Sequence, residues 1–581
     1  MGEAYLSAAT RRQSLAQMVA KPLDILVIGA GITGAGIALD AAARGYRVGL
    51  IERNDFASGT SSRSTKLVHG GIRYLPELDI PLVREALVER GRLLSNAPHL
   101  VHPLSFILPL YKDSRHPVGL PIAPLGGIGL SIILDMGLLL YDVLAGSKNV
   151  GRHRRLSRSD TLKRAGCLHA HGLKTGFVYF DAQTDDTRLV LAVLRSAAER
   201  GALLANYAEV SGFVTDAARI TGVSVINHLT QNADSERDVV IQAKHIVNAT
   251  GVWAEDVERL AGEHPQLEIA PSKGTHLVFA RETLNLGDEA VILPETKDGR
   301  IIFIVPWHSR ALVGTTDEGV QRIEDPIATA HEIDYLIAHL NRYLHHSVSR
   351  ADILTTYAGY RPLLRLRTRR TPSRLSRTHA IVEARDGLLT ISGGKLTTYR
   401  KMAQDVLDRI DWREQRSIKH ATEQLKLLGS SNLAYNRQSV AQRGRMLELT
   451  VDTIEHLLSA YGSEAASVLD LVDNEPDLGR ILIQDLPYIA AEVIFACRCE
   501  LAITLEDVLA RRTRIAIVDR TRGLASIECV ATLMQRELGW SETERNNQVA
   551  LYKRYAHEQA GPLASAPAIT ADVAIELTDG R

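Results

Sequence analysis

The sequence predicts an α/β chain: a parallel-sheet domain interrupted by an antiparallel-sheet domain and followed by a helical C-terminal domain. Three observations predict it. A strand, glycine turn, helix and second strand run through residues 23–52, short alternating apolar segments fill residues 268–316, and beyond about residue 420 the apolar spacing becomes helical.

The first of these, LDILVIGAGITGAGIALDAAARGYRVGLIE, carries Gly29, Gly31 and Gly34 in the order G-x-G-x-x-G at the mouth of a helix. Gly29 permits the tight turn, Gly31 lets backbone approach a pyrophosphate, and Gly34 lets the helix sit close to the sheet. Unpaired amides at the helix N-terminus then face the phosphates. Ala38, Ala42 and Gly45 continue the small residues along the helix, and the second strand delivers Glu52 at its end. A carboxylate there accepts hydrogen bonds from ribose hydroxyls and repels a 2'-phosphate. The unit is a Rossmann-like dinucleotide site.

Bulk properties narrow the class. At 581 residues the chain holds about three domains. Lys plus Arg and Asp plus Glu are equal at 68 each, so no global field favours nucleic acid. Cys167, Cys497, Cys499 and Cys529 form no C-x-x-C pair, which predicts reduced structural thiols in a cytosolic chain and no metal site. Arg11-Arg12 precedes no apolar leader, so residues 1–21 read as an extension before the domain. Residues 118–146 are strongly apolar but are broken by Pro121, Pro124, Asp135 and Asp142. With no uncharged run of the roughly 20 residues a span needs, they predict a buried or interfacial helix.

Along the chain, residues 54–76 are rich in Gly, Ser and Thr and bring Ser61, Ser62, Ser64, Lys66, His69, Arg73 and Tyr74 beside the pyrophosphate turn. A helix follows from about Ile80 to Ala97, and an amphipathic helix spans Thr184 to Arg200 with Asp185 and Asp186 at its acidic start. The strand ALLANYAEV comes next, and a later strand ends in Thr250-Gly251, where backbone again approaches a nucleotide. Residues 354–364 and 380–399 return to strand, turn and helix, with Gly393-Gly394 opening the last helix. Three glycine-anchored segments this far apart suit a long cofactor held throughout, a flavin dinucleotide rather than a nicotinamide one. The helical bundle extends to about residue 557, with Cys497 and Cys499 as core residues and a loose tail beyond.

The segments SSRSTKLVHGGIRYL (61–75), GTTD (314–317), YAGYRPLL (357–364), GGKLTTYR (393–400) and ITLEDVLARRTR (503–514) resemble those of the FAD-dependent glycerol-3-phosphate dehydrogenases over residues 23–557. The resemblance implies a FAD-binding fold of the glutathione-reductase/D-amino-acid-oxidase type. It places FAD-binding segments at 22–112, 182–262 and 356–418, substrate or cap segments at 113–181 and 263–355, the helical domain at 419–557 and a tail at 558–581. It further implies oxidation of sn-glycerol 3-phosphate to dihydroxyacetone phosphate, a quinone acceptor, peripheral attachment to the inner face of the cell membrane, and a possible homodimer.

By the same resemblance Arg73, Tyr74, Arg377 and Lys395 hold substrate and phosphate, a dianion that Arg grips through its planar fork. SRTHAIVEARDG, which carries Arg377, departs from the family's usual spacing. The implied FAD ligands are Gly29, Ala30, Gly31, Ile32, Thr33, Gly34, Glu52, Arg53, Thr60, Ser61, Ser62, Ser64, Lys66, His69, Gly70, Gly71, Val210, Thr250, Gly251, Trp253, Gly393, Gly394, Lys395, Leu396, Thr397 and Thr398. His276 is the candidate base because imidazole titrates near working pH. Arg361, always charged, stabilises a developing alkoxide, with Thr315 as a further contact. Two alternatives stay open: an oxidase that passes electrons to O2, although the extra segment such oxidases often carry is not seen, and a catalytically silent flavoprotein scaffold.

Overall fold

A computed structural model describes residues 5–114, 127–217, 219–229, 238–262, 265–296, 299–365, 379–418 and 422–564, without the side chains of residues 73, 127 and 128. Within these residues the chain forms an eight-stranded sheet, a ten-stranded sheet and a helical domain.

The first sheet is centred on Leu23–Ile28, which pairs in parallel with Asp238–Asn248 on one side and Val48–Ile51 on the other. Leu389–Ser392 extends it beyond Asn248, and Leu203–Ala205 extends it beyond Ile51. Leu23–Ile28 and Val48–Ile51 are nearly continuous buried runs because helices cover them. Helix Ile32–Ala43 lies closely on them through Ala35, Ala38 and Ala41, all fully buried. The predicted strand ALLANYAEV is split into Leu203–Ala205 and Ala208–Asp216, with Tyr207 at positive φ between them.

The described part of the expected N-terminal extension is integrated into the fold. Helix Ala8–Ala20 buries Leu15 and Met18 against the sheet, and Arg11 donates to the carbonyls of Asn206 and Tyr207 and to Asn227 Oδ1. Half of the Arg11-Arg12 pair is thus a structural anchor.

The second sheet is mainly antiparallel. Its longest ladders join Val101–Tyr111 to Leu173–Thr184 and Ile269–Ala280 to Thr355–Leu364, with Arg310–Gly314 and Ile302–Trp307 between. Three strands therefore lie outside the sheet that the sequence boundaries imply: Leu67–Val68, Val101–Tyr111 and Thr355–Leu364 belong here and not with the nucleotide-binding strands. Sheet membership is set by partners distant in sequence, whereas alternation alone reads the same in either sheet.

Helix Gly127–Ala145 follows the undescribed residues 115–126. It buries Leu130, Leu134, Leu138, Tyr141 and Ala145, spaced by four and three, and exposes Ile132, Ile133, Met136, Leu139, Leu140 and Val143. By length and composition it is long enough to cross a bilayer, but one face is committed to the core, the pattern of an interfacial helix.

The C-terminal domain packs helices Leu433–Met446, Val451–Tyr461, Ala465–Asn474, Ala490–Cys499, Ile527–Leu538 and Glu542–Ala560. Cys497 and Cys499 are buried there. Buried ion pairs tie this domain to the rest. Asp55 accepts from Arg511 and Arg512, Glu500 pairs with Arg188, and Asp186 holds both Lys66 and Arg514. These pairs cost desolvation but leave a lone buried charge if one partner is removed, so they fix how the parts dock.

Candidate active site

A cavity of about 530 Å3 runs between the two sheets. Its floor is the turn after the first strand. Gly29 has φ +101, and a Cβ on Gly34 would stand 1.9 Å from the Gly29 carbonyl oxygen, so only glycine admits this closeness. Helix Ile32–Ala43 begins at Gly31 with no side-chain cap, and the Ile32 amide donates to Ser61 Oγ at 2.9 Å. Glu52 accepts from the Ala30 amide at 2.8 Å and the Asn54 amide at 3.0 Å. Burial raises its pKa, and the two amides oppose that rise.

Arg53 lies over the Trp253 ring at 4.6 Å, and both line one end of the cavity with Val210. Thr250, Gly251, Gly393, Gly394 and Leu396 bring the other two glycine turns to the same wall, with Ser392 Oγ donating to the Gly251 carbonyl. Thr33, Thr60, Ser61, Ser64, His69 and Gly71 complete the lining from the first and second segments. The long cavity, the glycine approaches and the uncapped helix end fit a flavin dinucleotide.

Several expected ligands sit behind this surface. Lys66 is fully buried, with Nζ 2.7 Å from Asp186 Oδ1, and does not line the cavity. Burial and the nearby Arg514 pull its pKa down to about 8, against the pull of Asp186. Its expected place among the FAD ligands is corrected to an internal ion pair. Ser62 Oγ donates to the Gly59 carbonyl, and Thr398 Oγ1 donates to the Lys395 carbonyl. Thr397 Oγ1 accepts from the His69 amide, and the Gly70 amide donates to Asp181. These four, with Ala30 and Gly34, shape the turns from below the lining.

At the other end the second sheet supplies Phe106, Tyr179, Ile292, Ile301 and Phe303 as an apolar roof. Arg361, Thr315, Tyr74 and Lys395 also line the cavity. Arg361 donates to Thr315 Oγ1 at 2.8 Å and to the Thr316 carbonyl at 3.2 Å, and pairs with Asp317. Lys395 Nζ stands 4.1 Å above the Tyr74 ring, and Gly71 lies against both. The Arg73 side chain and Arg377 lie outside the described residues.

His276 is off the lining. It is stacked on Tyr357 at 4.7 Å, with Nε2 2.9 Å from Thr65 Oγ1. Burial first, then Arg361 and Lys66, hold its pKa well below the ordinary imidazole value, so the ring is neutral and the expectation that it titrates near working pH is corrected. Thr65 and Asp181 line the cavity without having been singled out from sequence. Asp181 accepts from Arg90, Tyr141 and the Gly70 amide, linking helix Gly127–Ala145 to the cavity. Thr65 had a signal, as it stands inside the SSRSTK run, but hydroxyls there are indistinguishable until the pairing of the strands aims them.

Residues 24–400 match the model of the FAD dependent oxidoreductases, and residues 420–545 match the C-terminal domain of alpha-glycerophosphate oxidase. The chain is 36% identical to glycerol-3-phosphate dehydrogenase 2 of Mycobacterium tuberculosis over 576 residues, covering 98% of this chain and 94% of that one. The chain belongs to the FAD-dependent glycerol-3-phosphate dehydrogenase family. The mitochondrial glycerol-3-phosphate dehydrogenase SDP6 of Arabidopsis thaliana is 36% identical, covering 93% of this chain and 87% of its own. The glycerol-3-phosphate dehydrogenase of Bacillus halodurans complexed with FAD superposes with TM-score 0.77 at 29% identity, covering 96% of this chain and 99% of that one. FAD is the cofactor of this family, and the glycine-lined half of the cavity is the part of this dehydrogenase-family chain built to hold it.

Proposed function

We propose that this chain oxidises sn-glycerol 3-phosphate at C2 to dihydroxyacetone phosphate and passes the electrons to a quinone while docked on a lipid surface. The observation that carries the reading is that Arg361, Thr315, Lys395 and Tyr74 line the same cavity as the three glycine turns. Cations there suit a phosphate dianion and a developing alkoxide. FAD, when bound, supplies the two-electron acceptor.

In this reading Lys395, held over Tyr74, grips the phosphate. Arg361 is oriented by Thr315 and Asp317 so that its fork faces the C2 oxygen as negative charge builds on it. His276, neutral and fixed by its stack on Tyr357, takes the hydroxyl proton. The aromatic and aliphatic roof excludes water, which strengthens each charge contact.

The lipid contact rests on the exposed apolar face of helix Gly127–Ala145, followed by the exposed basic residues Arg152, Arg154, Arg155 and Arg158. Tyr141, on the buried side of that helix, reaches Asp181 on the cavity wall, so a lipid-borne acceptor docked there lies one contact layer from the site.

Anaerobic addition of glycerol 3-phosphate to the purified protein tests the reaction. Bleaching of the flavin band is expected, and an unbleached spectrum would instead favour the silent scaffold. The match of residues 420–545 to the C-terminal domain of alpha-glycerophosphate oxidase favours a second reading, an oxidase. Peroxide released in stoichiometric yield in air would establish that reading over quinone reduction.

A further inference from the structure

The candidate base and the cavity are separated by one side chain. His276 is 2% exposed and does not line the cavity, whereas Thr65 does. The only described partner of either His276 ring nitrogen is Thr65 Oγ1, 2.9 Å from Nε2, and Nδ1 is buried with no hydrogen-bond partner among the described residues. Among the described residues, no carboxylate or carbonyl hydrogen-bonds to the ring. Its plane is set by Tyr357, stacked at 7°, whose own hydroxyl donates to the Ser64 carbonyl next to Thr65. The segment carrying Thr65 is itself pinned, since Ser64 Oγ and Lys66 Nζ both donate to Asp186.

We propose that Thr65 is a proton relay, standing in direct contact with the substrate hydroxyl and handing its proton to His276. This rests on the reading of His276 as base. As the substrate O–H bond breaks, an O–H bond forms at Thr65 Oγ1 and the original Thr65 hydroxyl proton passes to His276 Nε2. The C2 hydrogen leaves with its electron pair to the bound FAD, and the electron pair of the broken O–H bond becomes the second bond of the C2 carbonyl. The transfer needs a hydroxyl at residue 65 and a bare Nε2, so the ring hydrogen of the resting enzyme resides on Nδ1. Placing the base behind a hydroxyl keeps the imidazole away from the phosphate, which would otherwise pair with it. Burial first, and then the nearby cations Arg361 and Lys66, keep the ring from holding a proton before substrate arrives.

Three variants of the FAD-loaded enzyme, Thr65→Val, Thr65→Ser and His276→Ala, separate the relay from the base. In single-turnover flavin reduction, Thr65→Val is expected to be slower by about a hundredfold, in the range of general-base effects, with Thr65→Ser restoring most of the rate. Binding of dihydroxyacetone phosphate, measured at equilibrium, is expected to change little in Thr65→Val. The solvent deuterium isotope effect of the wild-type step is expected to disappear or change in that variant. In 15N-histidine spectra the resonance lost in His276→Ala should report a protonated Nδ1 and an unprotonated Nε2 in the wild type. A normal rate and isotope effect in Thr65→Val beside a slow His276→Ala would remove the relay and leave the base. Normal rates in both would remove the base and the relay together. A Thr65→Ser as slow as Thr65→Val, or an Nε2-protonated ring at rest, would also overturn the relay.

Discussion

Replacing Gly34 by Ala tests the geometry on which cofactor binding rests. The added Cβ would stand 1.9 Å from the Gly29 carbonyl oxygen, with Val27 Cγ1 at 3.3 Å closing the other side. A comfortable carbon to oxygen contact is about 3.3 Å, so the helix start and the Gly29 turn must separate by roughly 1.4 Å. Amides aimed at a phosphate from about 2.9 Å would then stand beyond hydrogen-bonding reach. Each such charge-assisted bond is worth about 1.5–3 kcal/mol. Loss of two of them weakens FAD binding by about a hundredfold to ten-thousandfold. The assay is flavin stoichiometry from absorbance after purification, then a fluorescence titration of the stripped protein with FAD, with far-UV circular dichroism as a check on the fold. A Gly34→Ala protein that purifies with full flavin and wild-type affinity would refute the argument.

Further outcomes follow from the buried charges and the exposed helix. Asp186→Asn leaves Lys66 and Arg514 without their shared carboxylate, and a cost of about 3–5 kcal/mol should appear as a markedly lowered thermal midpoint. His99 and His276 are both buried and neutral, with the pKa of His99 pushed down to about 3 by burial. Because the unfolded chain binds protons at the ordinary imidazole value and the folded chain does not, stability falls as pH drops below about 6.5. At pH 5 the His99 contribution alone is about 2 kcal/mol, readable in urea midpoints between pH 5 and 7.5. Glutamate at Met136, Leu139 and Val143 together should abolish cosedimentation with anionic phospholipid vesicles while leaving anaerobic flavin bleaching unchanged. Undiminished vesicle binding by that triple variant would remove the helix as the lipid contact.

Local rules made much of this protein legible in one dimension. The G-x-G-x-x-G spacing with Glu52 one strand later, the alternation of 268–316 and the helical spacing after residue 420 each express constraints within a few residues, and the structure contains the corresponding elements. Thr60, Ser61 and His69 were legible as lining for the same reason: they follow the second strand directly and close over the turn. Lys66 was not. Its neighbours in sequence line the cavity, but its ammonium finds Asp186, and a pairing across such a distance leaves no trace in either local pattern.

The sequence by itself determined the dinucleotide turn, the order of sheet and helix, and the motifs that mark the family, because turn sterics and periodicity act between near neighbours. Only the tertiary structure decided that Thr355–Leu364 serves the second sheet, that His276 stands behind Thr65, and that Arg11 anchors a helix to the sheet. Those outcomes depend on which distant backbone a strand pairs with and which buried charge finds a partner. Both are settled by the packing of the whole chain.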